Sequence, residues 1–155
     1  MGEVSAAELF LLYEVCFYMV EKTERIGEYL ATIKSEPNQT GHQVFTITLC
    51  KGKIQFWELI GIREYGNTVS FFSLRGNEKQ PRVTKTKQLL ALNGFAEKEL
   101  YSAGIRHAIG PTKFRFAAFL KKLGYEVRKG AMLSDVSKKL SPVNQGIGKV
   151  RRFRK

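Results

Sequence analysis

The chain has 155 residues, of which 43% are apolar and 12% aromatic, with only four prolines. This composition excludes an intrinsically disordered chain and is typical of one folded domain with a sizeable core. The formal net charge is +12, which favours an anionic partner such as nucleic acid, an acidic protein or an anionic surface.

The positive charge is concentrated toward the C-terminus. Residues 1–40 carry three Lys and Arg against seven Glu, whereas residues 111–155 carry thirteen Lys and Arg against two acids. From Ser134 onward the chain is also polar and poor in apolar periodicity. We therefore expect a folded domain over residues 1–133, followed by a basic C-terminal extension over residues 134–155.

The N-terminal third carries a helical pattern. Ser5 and Glu8 have the spacing of a capping box, and apolar residues at helical spacing follow them. The sequence predicts helix over residues 6–33, bent or broken at Gly27. The apolar run at residues 9–20 is too short to span a bilayer, so we expect a core helix. Because the start of the sequence is acidic, we expect no cleavable secretion signal.

Side chains that carry metal or nucleophilic chemistry are sparse. Cys16 and Cys50 lack metal-ligand spacing and lie in apolar runs, so we expect two buried thiols. His42 and His107 are 65 residues apart, with no acid at motif spacing. No Walker loop, catalytic triad or zinc spacing is present, and the sequence predicts no metal site.

The middle of the chain changes to strand periodicity. Residues 42–50 alternate, meet the turn Lys51-Gly52-Lys53, and continue into a second β-rich segment at residues 54–65. A Tyr-Gly-Asn turn leads to a third segment at residues 68–74. These signals predict a three-stranded antiparallel meander.

The C-terminal half mixes helix and strand. After a polar loop from residue 75, apolar spacing predicts helix over residues 84–103, strand over 105–109, helix over 112–124 and strand over 125–133. The chain is therefore predicted to be a mixed α/β domain, whose last four elements cross over onto the sheet of the meander.

This element order resembles the GNAT family, the acyl-CoA-dependent N-acyltransferases, over about residues 6–133. The stretch LIGIREYGNTVSFFSLRG is similar to the family's third and fourth strands, and FAAFLKKLGYEV is similar to its frequent C-terminal motif. The looser match is of the kind found in small GNAT-like phage proteins, some of them virion components. The resemblance implies acetyl-CoA as the cofactor if the chain is an enzyme.

The resemblance also implies site residues, with departures. The pyrophosphate loop of the family would fall on Arg75, Gly76 and Asn77, but its later glycines are missing and Glu78 and Pro81 follow. The position of the family's catalytic tyrosine falls on Leu120, and Tyr125, one turn away, takes the aromatic position of the motif instead. Glu58 lies on the second meander strand, where such enzymes often carry a general base. These departures favour a scaffold with lost or atypical catalysis.

The strongest functional signal is basic. Phe116, Phe119, Leu120 and Leu123 share a helix face that we expect to pack on the core rather than to stack on bases. Phe153 is flanked by cations that can neutralise phosphates while its ring stacks. The residues expected to bind nucleic acid are Lys121, Lys122, Arg128, Lys129, Lys149, Arg151, Arg152, Phe153, Arg154 and Lys155.

The sequence thus favours a GNAT-like scaffold that binds nucleic acid or another polyanion without reading bases, as a cytoplasmic or virion-associated structural protein. In this interpretation no cofactor is needed. The alternative is an active acyl-CoA-dependent N-acyltransferase with an atypical pyrophosphate loop. A third possibility is a subunit whose meander edge or first helix packs on protein partners in a larger assembly.

Overall fold

The computed structural model describes residues 21–112, 114–130 and 132–141. Within these ranges the chain forms eight strands and two helices. The strands are β1 (Glu21–Ile26), β2 (Tyr29–Pro37), β3 (Gln43–Lys51), β4 (Ile54–Tyr65), β5 (Thr68–Gly76), β6 (His107–Thr112), β7 (Glu126–Lys129) and β8 (Ser134–Lys139), and the helices are α1 (Arg82–Ser102) and α2 (Phe114–Lys122).

All eight strands belong to one sheet, in the order β1-β2-β3-β4-β5-β6-β8-β7. The first five strands form an antiparallel meander. β5 then pairs in parallel with β6, and α1 provides the crossover between them. The predicted three-stranded meander over residues 42–74 is confirmed as β3, β4 and β5, within a mixed α/β fold.

The meander is longer at its start than expected. The prediction of helix through residue 33 is wrong for residues 21–33, which form β1 and most of β2, while residues 6–20 lie outside the described residues. Gly27, at a φ of 60°, makes the hairpin turn between the two strands rather than a helix break. Burial alternates along β2, as expected of a strand: Ala31, Ile33 and Ser35 are buried and the residues between them are more exposed.

The core lies between one face of the sheet and the helices. Phe45, Ile47 and Leu49 of β3 are fully buried, and α1 contributes Leu92, Phe95 and Leu100 to the same cluster. Burying these side chains contributes about 1.5–3 kcal/mol each relative to exposure. Neither helix among the described residues has the length and apolar character needed to cross a membrane.

The C-terminal part of the sheet differs from expectation. The single strand predicted over residues 125–133 is confirmed for residues 126–129 but wrong beyond Lys129, where the chain turns back into β8. β8 starts at Ser134, where we expected the basic extension to begin, and it pairs with both β6 and β7. The expected extension therefore opens with a central strand of the sheet. Of its remainder, residues 142–155 lie outside the described residues.

Candidate functional site

Two neighbouring strands diverge near the middle of the sheet. β5 pairs with β6 only through Thr68–Ser70 and His107–Ile109, although β5 continues to Gly76 and β6 to Thr112. Beyond these three pairs the described strands share no ladder, so backbone groups along the facing edges are left without a strand partner. A gap lined by unpaired backbone N–H and C=O groups can receive an amide-containing ligand.

The gap begins at two irregular positions. Ile60 pairs with Ser73 but Gly61 pairs with Phe71, which leaves Phe72 as the extra residue of a β-bulge. The Phe72 side chain is 59% exposed, as expected where a bulge redirects a side chain. Across the gap, a Cβ on Gly110 would lie 2.8 Å from the carbonyl oxygen of Phe71. Glycine therefore lets the two backbones approach closely at the apex.

The gap opens on the helix side into an apolar cavity of about 160 Å³. The cavity lies between α1, α2 and the sheet, and its walls are mostly leucine and phenylalanine, with few polar groups. Such a site accepts a narrow, extended group and selects it by those few polar contacts. The lining side chains include Leu59, Phe71, Phe72, Leu74, Leu89, Leu92, Asn93, Phe119, Leu120, Leu123 and Tyr125.

Tyr125 and Asn93 supply a polar pair in this cavity. The Tyr125 hydroxyl donates a hydrogen bond to Oδ1 of Asn93 across 3.3 Å. Tyr125 is only 7% exposed, and burial, reinforced by the carboxylate of Glu97, raises the pKa of its phenol. The hydroxyl therefore stays protonated at neutral pH and keeps its hydrogen-bond donor.

A buried ion pair lies close to the Tyr125 ring. Glu97 of α1 and Lys138 of β8 are 2.5 Å apart, with side-chain exposures of 6% and 5%. The Lys138 ammonium also donates to the carbonyl of Leu123 and lies 5.4 Å from the Tyr125 ring centroid. Lys138 thus links β8 to α1 through Glu97 and to the end of α2 through Leu123, beside the cavity. The pairing lowers the cost of burying the two charges.

Each residue of the expected phosphate loop makes contacts within the fold. Arg75 is exposed and contacts Glu58 at 3.6 Å, whereas a Cβ on Gly76 would fall inside the ring of Trp57. The Asn77 N–H donates to Phe56, and its carbonyl and Oδ1 accept from Gln80 and Lys79. These three residues lie at the end of β5 and in the turn that leads to α1.

The N-terminus of α1 follows that turn. The first intrahelical hydrogen bond runs from Lys85 to Pro81, so the N–H groups of Arg82, Val83 and Thr84 have no intrahelical acceptor. No side chain caps the helix and its first turn has no acid. Free N–H groups, the helix dipole and the nearby cation of Arg82 all favour an anion here.

A second cavity reaches the same gap from the other face of the sheet. It has a volume of about 690 Å³ and shares Ile109, Gly110 and Pro111 with the first cavity. Its walls carry Glu126, Arg128 and Asp135 with Ser70 and Ser137. Neither carboxylate has an ion-pair partner within the part of the chain that the structure describes.

Glu58 and the two histidines lie outside both cavities. Trp57 and Leu59 point toward the helices, so alternation places Glu58 on the opposite face, where its side chain is 23% exposed. His42 accepts or donates a hydrogen bond with Thr40 in an exposed turn, and His107 is exposed on β6. The structure thus places Glu58 on the face that holds the second cavity, but not in its wall.

The basic residues predicted to bind nucleic acid are only partly described. Lys121, Lys122, Arg128 and Lys129 are all exposed, and Arg128 also lies in the wall of the second cavity. None of these four has an ion-pair partner among the described residues. The other six lie outside the described residues: Lys149, Arg151, Arg152, Phe153, Arg154 and Lys155.

Sequence reasoning missed the polar groups of the two cavities. Asn93 stands in the middle of a helix and gives no motif signal, and Tyr125 was identified only as an aromatic near the expected tyrosine position. Glu126 and Asp135 are separated by a turn whose geometry no spacing rule predicts. Strand register, rather than spacing along the chain, places Glu126 and Asp135 at the gap.

No family model and no curated protein matches the chain. Solved structures do match. The Bacillus subtilis acetyltransferase in complex with CoA has a TM-score of 0.51 and 12% identity, covering 66% of this chain and 80% of its own. A protein assigned as an N-acetyltransferase from Lactobacillus plantarum has a TM-score of 0.51 and 15% identity, covering 67% of this chain and 73% of its own.

A third structure, assigned as a GNAT-family acetyltransferase from Desulfovibrio desulfuricans, has a TM-score of 0.51 and 8% identity, covering 63% of this chain and 70% of its own. At identities this low the likeness concerns the fold alone. The fold expected from the sequence resemblance is confirmed: the chain has a GNAT-like α/β fold with an antiparallel meander.

Proposed function

We propose that this chain is an acyl-CoA-dependent N-acyltransferase that binds its acyl donor in the gap between β5 and β6. The divergence of these two strands beyond Ser70 and Ile109 is the observation that carries the proposal. It leaves free backbone hydrogen-bonding groups beside an apolar cavity, which suits an extended arm that contains amides. The similar Bacillus subtilis acetyltransferase is in complex with CoA, which supports the same ligand class here.

The residues present fit such a cofactor at both of its ends. The apolar cavity would hold the pantetheine arm, and the uncapped N–H groups of Arg82, Val83 and Thr84 would hold the phosphates. Leu89 follows Arg82 by seven residues, about 10 Å along the helix axis, so one extended ligand reaches both regions. Pro81 removes one N–H donor from the turn and Glu78 adds a negative charge there, which leaves the helix terminus as the main anion site.

When bound, the cofactor would supply an activated acyl thioester. The chain's own residues orient it and exclude water: Phe119, Leu120 and Leu123 cover the gap on the helix side. The second cavity reaches the gap from the opposite face of the sheet, so an acyl acceptor can approach the gap without entering the cavity that holds the pantetheine arm. The free carboxylates of Glu126 and Asp135 favour a cationic acceptor, consistent with an amine.

The binding step is tested by calorimetric titration of acetyl-CoA into wild type, Leu89→Trp and Leu90→Trp. Both leucines are half-buried on α1, but only Leu89 lines the cavity. We expect wild type and Leu90→Trp to bind and Leu89→Trp to bind at least tenfold more weakly, since the larger ring fills the cavity. No binding by wild type, or equal loss in both variants, would contradict the proposal.

Binding of a polyanion is the second candidate. It is supported by four predicted and described cations without an acidic partner, Lys121, Lys122, Arg128 and Lys129, and by the charge of residues 142–155. Phosphate neutralisation would give affinity without base readout, as expected of a scaffold in a nucleoprotein or virion assembly. The test is binding to duplex DNA at 50 and at 200 mM salt. An affinity that falls steeply over this range supports the role, because phosphate contacts release counterions from the DNA. Salt-independent or absent binding overturns it.

A further inference from the structure

The Asn93 side chain, which lines the first cavity, carries an unsatisfied hydrogen-bond donor. Its Nδ2 atom is buried and has no acceptor among the described residues, while its Oδ1 accepts from the Tyr125 hydroxyl. Both residues line the cavity. Because a buried polar group without a partner costs free energy, an orphaned N–H beside a cavity indicates that something else completes it.

A free donor remains whichever way the Asn93 amide faces. With Oδ1 toward Tyr125, the two N–H groups of Asn93 have no partner. With the amide turned over, Nδ2 donates to the Tyr125 oxygen, and the phenolic hydrogen is released instead. The pair therefore holds at least one N–H or O–H without a partner in either arrangement, on two residues that line an otherwise largely apolar cavity.

The pair is also held in place. Tyr125 lies beside the buried Glu97–Lys138 ion pair, with the Lys138 ammonium 5.4 Å from its ring centroid. Asn93 lies on α1 one turn before Glu97, so the same ion pair fixes the helix that carries it. A positioned donor in a dry, apolar site distinguishes ligands by whether they bring an acceptor oxygen.

We propose that Asn93 and Tyr125 together bind a carbonyl oxygen of the acyl-pantetheine arm and thereby position it at the β5–β6 gap. This inference rests on the proposed function and adds to it the two side chains that recognise the ligand. They act as binding and positioning residues. The contact also explains why a polar pair with an unsatisfied donor stands in a cavity whose other walls could have been closed by leucine.

The test compares wild type with the double variant Asn93→Leu, Tyr125→Phe. This variant removes both partners of the hydrogen bond and keeps the approximate shape of each side chain, so no half of the pair is left unsatisfied. Tyr101→Phe is the matched control, because Tyr101 is a half-buried tyrosine that packs against Arg106 away from the cavity. Each protein is titrated with acetyl-CoA by calorimetry, and its unfolding is measured without ligand.

We expect the double variant to bind acetyl-CoA about tenfold or more weakly, as for the loss of one buried hydrogen bond. Its melting temperature without ligand should equal or exceed that of wild type, because the orphaned donor is gone. The control should match wild type in both measurements.

Two outcomes would overturn the inference separately from the proposed function. Unchanged affinity in the double variant, with wild type binding, means that the ligand does not use the pair. A lowered melting temperature with affinity changed by less than twofold means that the pair is structural. If wild type itself fails to bind acetyl-CoA, the proposed function and this inference are both wrong.

Discussion

Glu97 and Lys138 form an ion pair 2.5 Å long that is almost completely buried, and it joins the middle of α1 to β8. The two residues are 41 positions apart in the sequence and carry most of the charge in the core. Their pairing makes β8 part of the fold, because a lysine on a central strand requires a charge partner on the helix above it.

Glu97→Gln should destabilise the protein by about 3–5 kcal/mol, since it leaves the Lys138 ammonium buried without a charge partner. The free energy of unfolding in urea measures this effect. Glu99→Gln is the matched control on the same helix: its ion pair with Lys22 is 3.4 Å long and Lys22 is 58% exposed, so we expect a loss below about 1 kcal/mol. Equal losses in the two variants would show that the buried pair has no special role.

Replacing both partners gives a complementary prediction. The double variant Glu97→Met, Lys138→Met should recover most of the stability lost in Glu97→Gln, because apolar side chains of similar volume need no charge partner. The same urea titration measures it. If the double variant is less stable than Glu97→Gln, packing rather than charge pairing determines stability at this site.

Tyr125 should make stability fall at high pH. Its pKa is raised in the folded protein by burial and by Glu97, so the folded state keeps a proton that the unfolded state loses above pH 10. The contribution of the Tyr125 phenol to the free energy of unfolding is fully present below pH 10. Above pH 10 it decreases by about 1.4 kcal/mol per pH unit. Urea titrations between pH 9 and 11 should show a steeper decrease for wild type than for Tyr125→Phe. Parallel curves would contradict the assignment.

Gln88 should be needed for the turn before α1. Its Oε1 accepts from Trp57 and Gln80, and its Nε2 donates to Gln80 and Tyr29. Gln88→Leu leaves buried donors and acceptors unsatisfied and should cost about 1–3 kcal/mol, measured as the free energy of unfolding. Gln55→Leu, at an exposed position of β4, should change stability by less than about 0.5 kcal/mol. A neutral Gln88→Leu would show that this network does not stabilise the fold.

A side chain at Gly110 should destabilise the fold. In Gly110→Ala the new Cβ lies 2.8 Å from the Phe71 carbonyl oxygen, and this backbone contact can be relieved only by moving β5 or β6. We expect a loss of about 1–3 kcal/mol, typical of overpacking, seen as a lower melting temperature. An unchanged melting temperature would mean that the apex of the gap adapts freely.

Much of the fold could be predicted from local pattern. β3 alternates clearly, β4 and β5 are rich in β-branched and aromatic residues, and glycine turns join the three strands, while α1 is bounded by Pro81 and Gly104. Helix was wrongly predicted at residues 21–33 because Glu, Lys and Ala are good helix formers there. The paired strands of β1 and β2 override that propensity, and only Ala31, Ile33 and Ser35 carry the alternation.

β8 could not be predicted, since its buried positions are Ser134, Val136 and Lys138. Two of these three side chains are polar, and Lys138 is tolerated only because Glu97 lies above it. The same limit applies to the site. Asn93 and Tyr125 meet through the packing of α1 against the segment after α2, and nothing in their spacing of 32 residues indicates a hydrogen bond.

The most direct test of the central claim is amide hydrogen exchange with and without acetyl-CoA. We expect slower exchange on ligand addition at Leu74 and Gly76 of β5, whose N–H groups point away from β4 and face β6 across the gap without pairing. Protection at the first turn of α1 should accompany it. Binding that leaves the exchange of these two amides unchanged, or that protects only other parts of the chain, would contradict the placement of the acyl donor between β5 and β6.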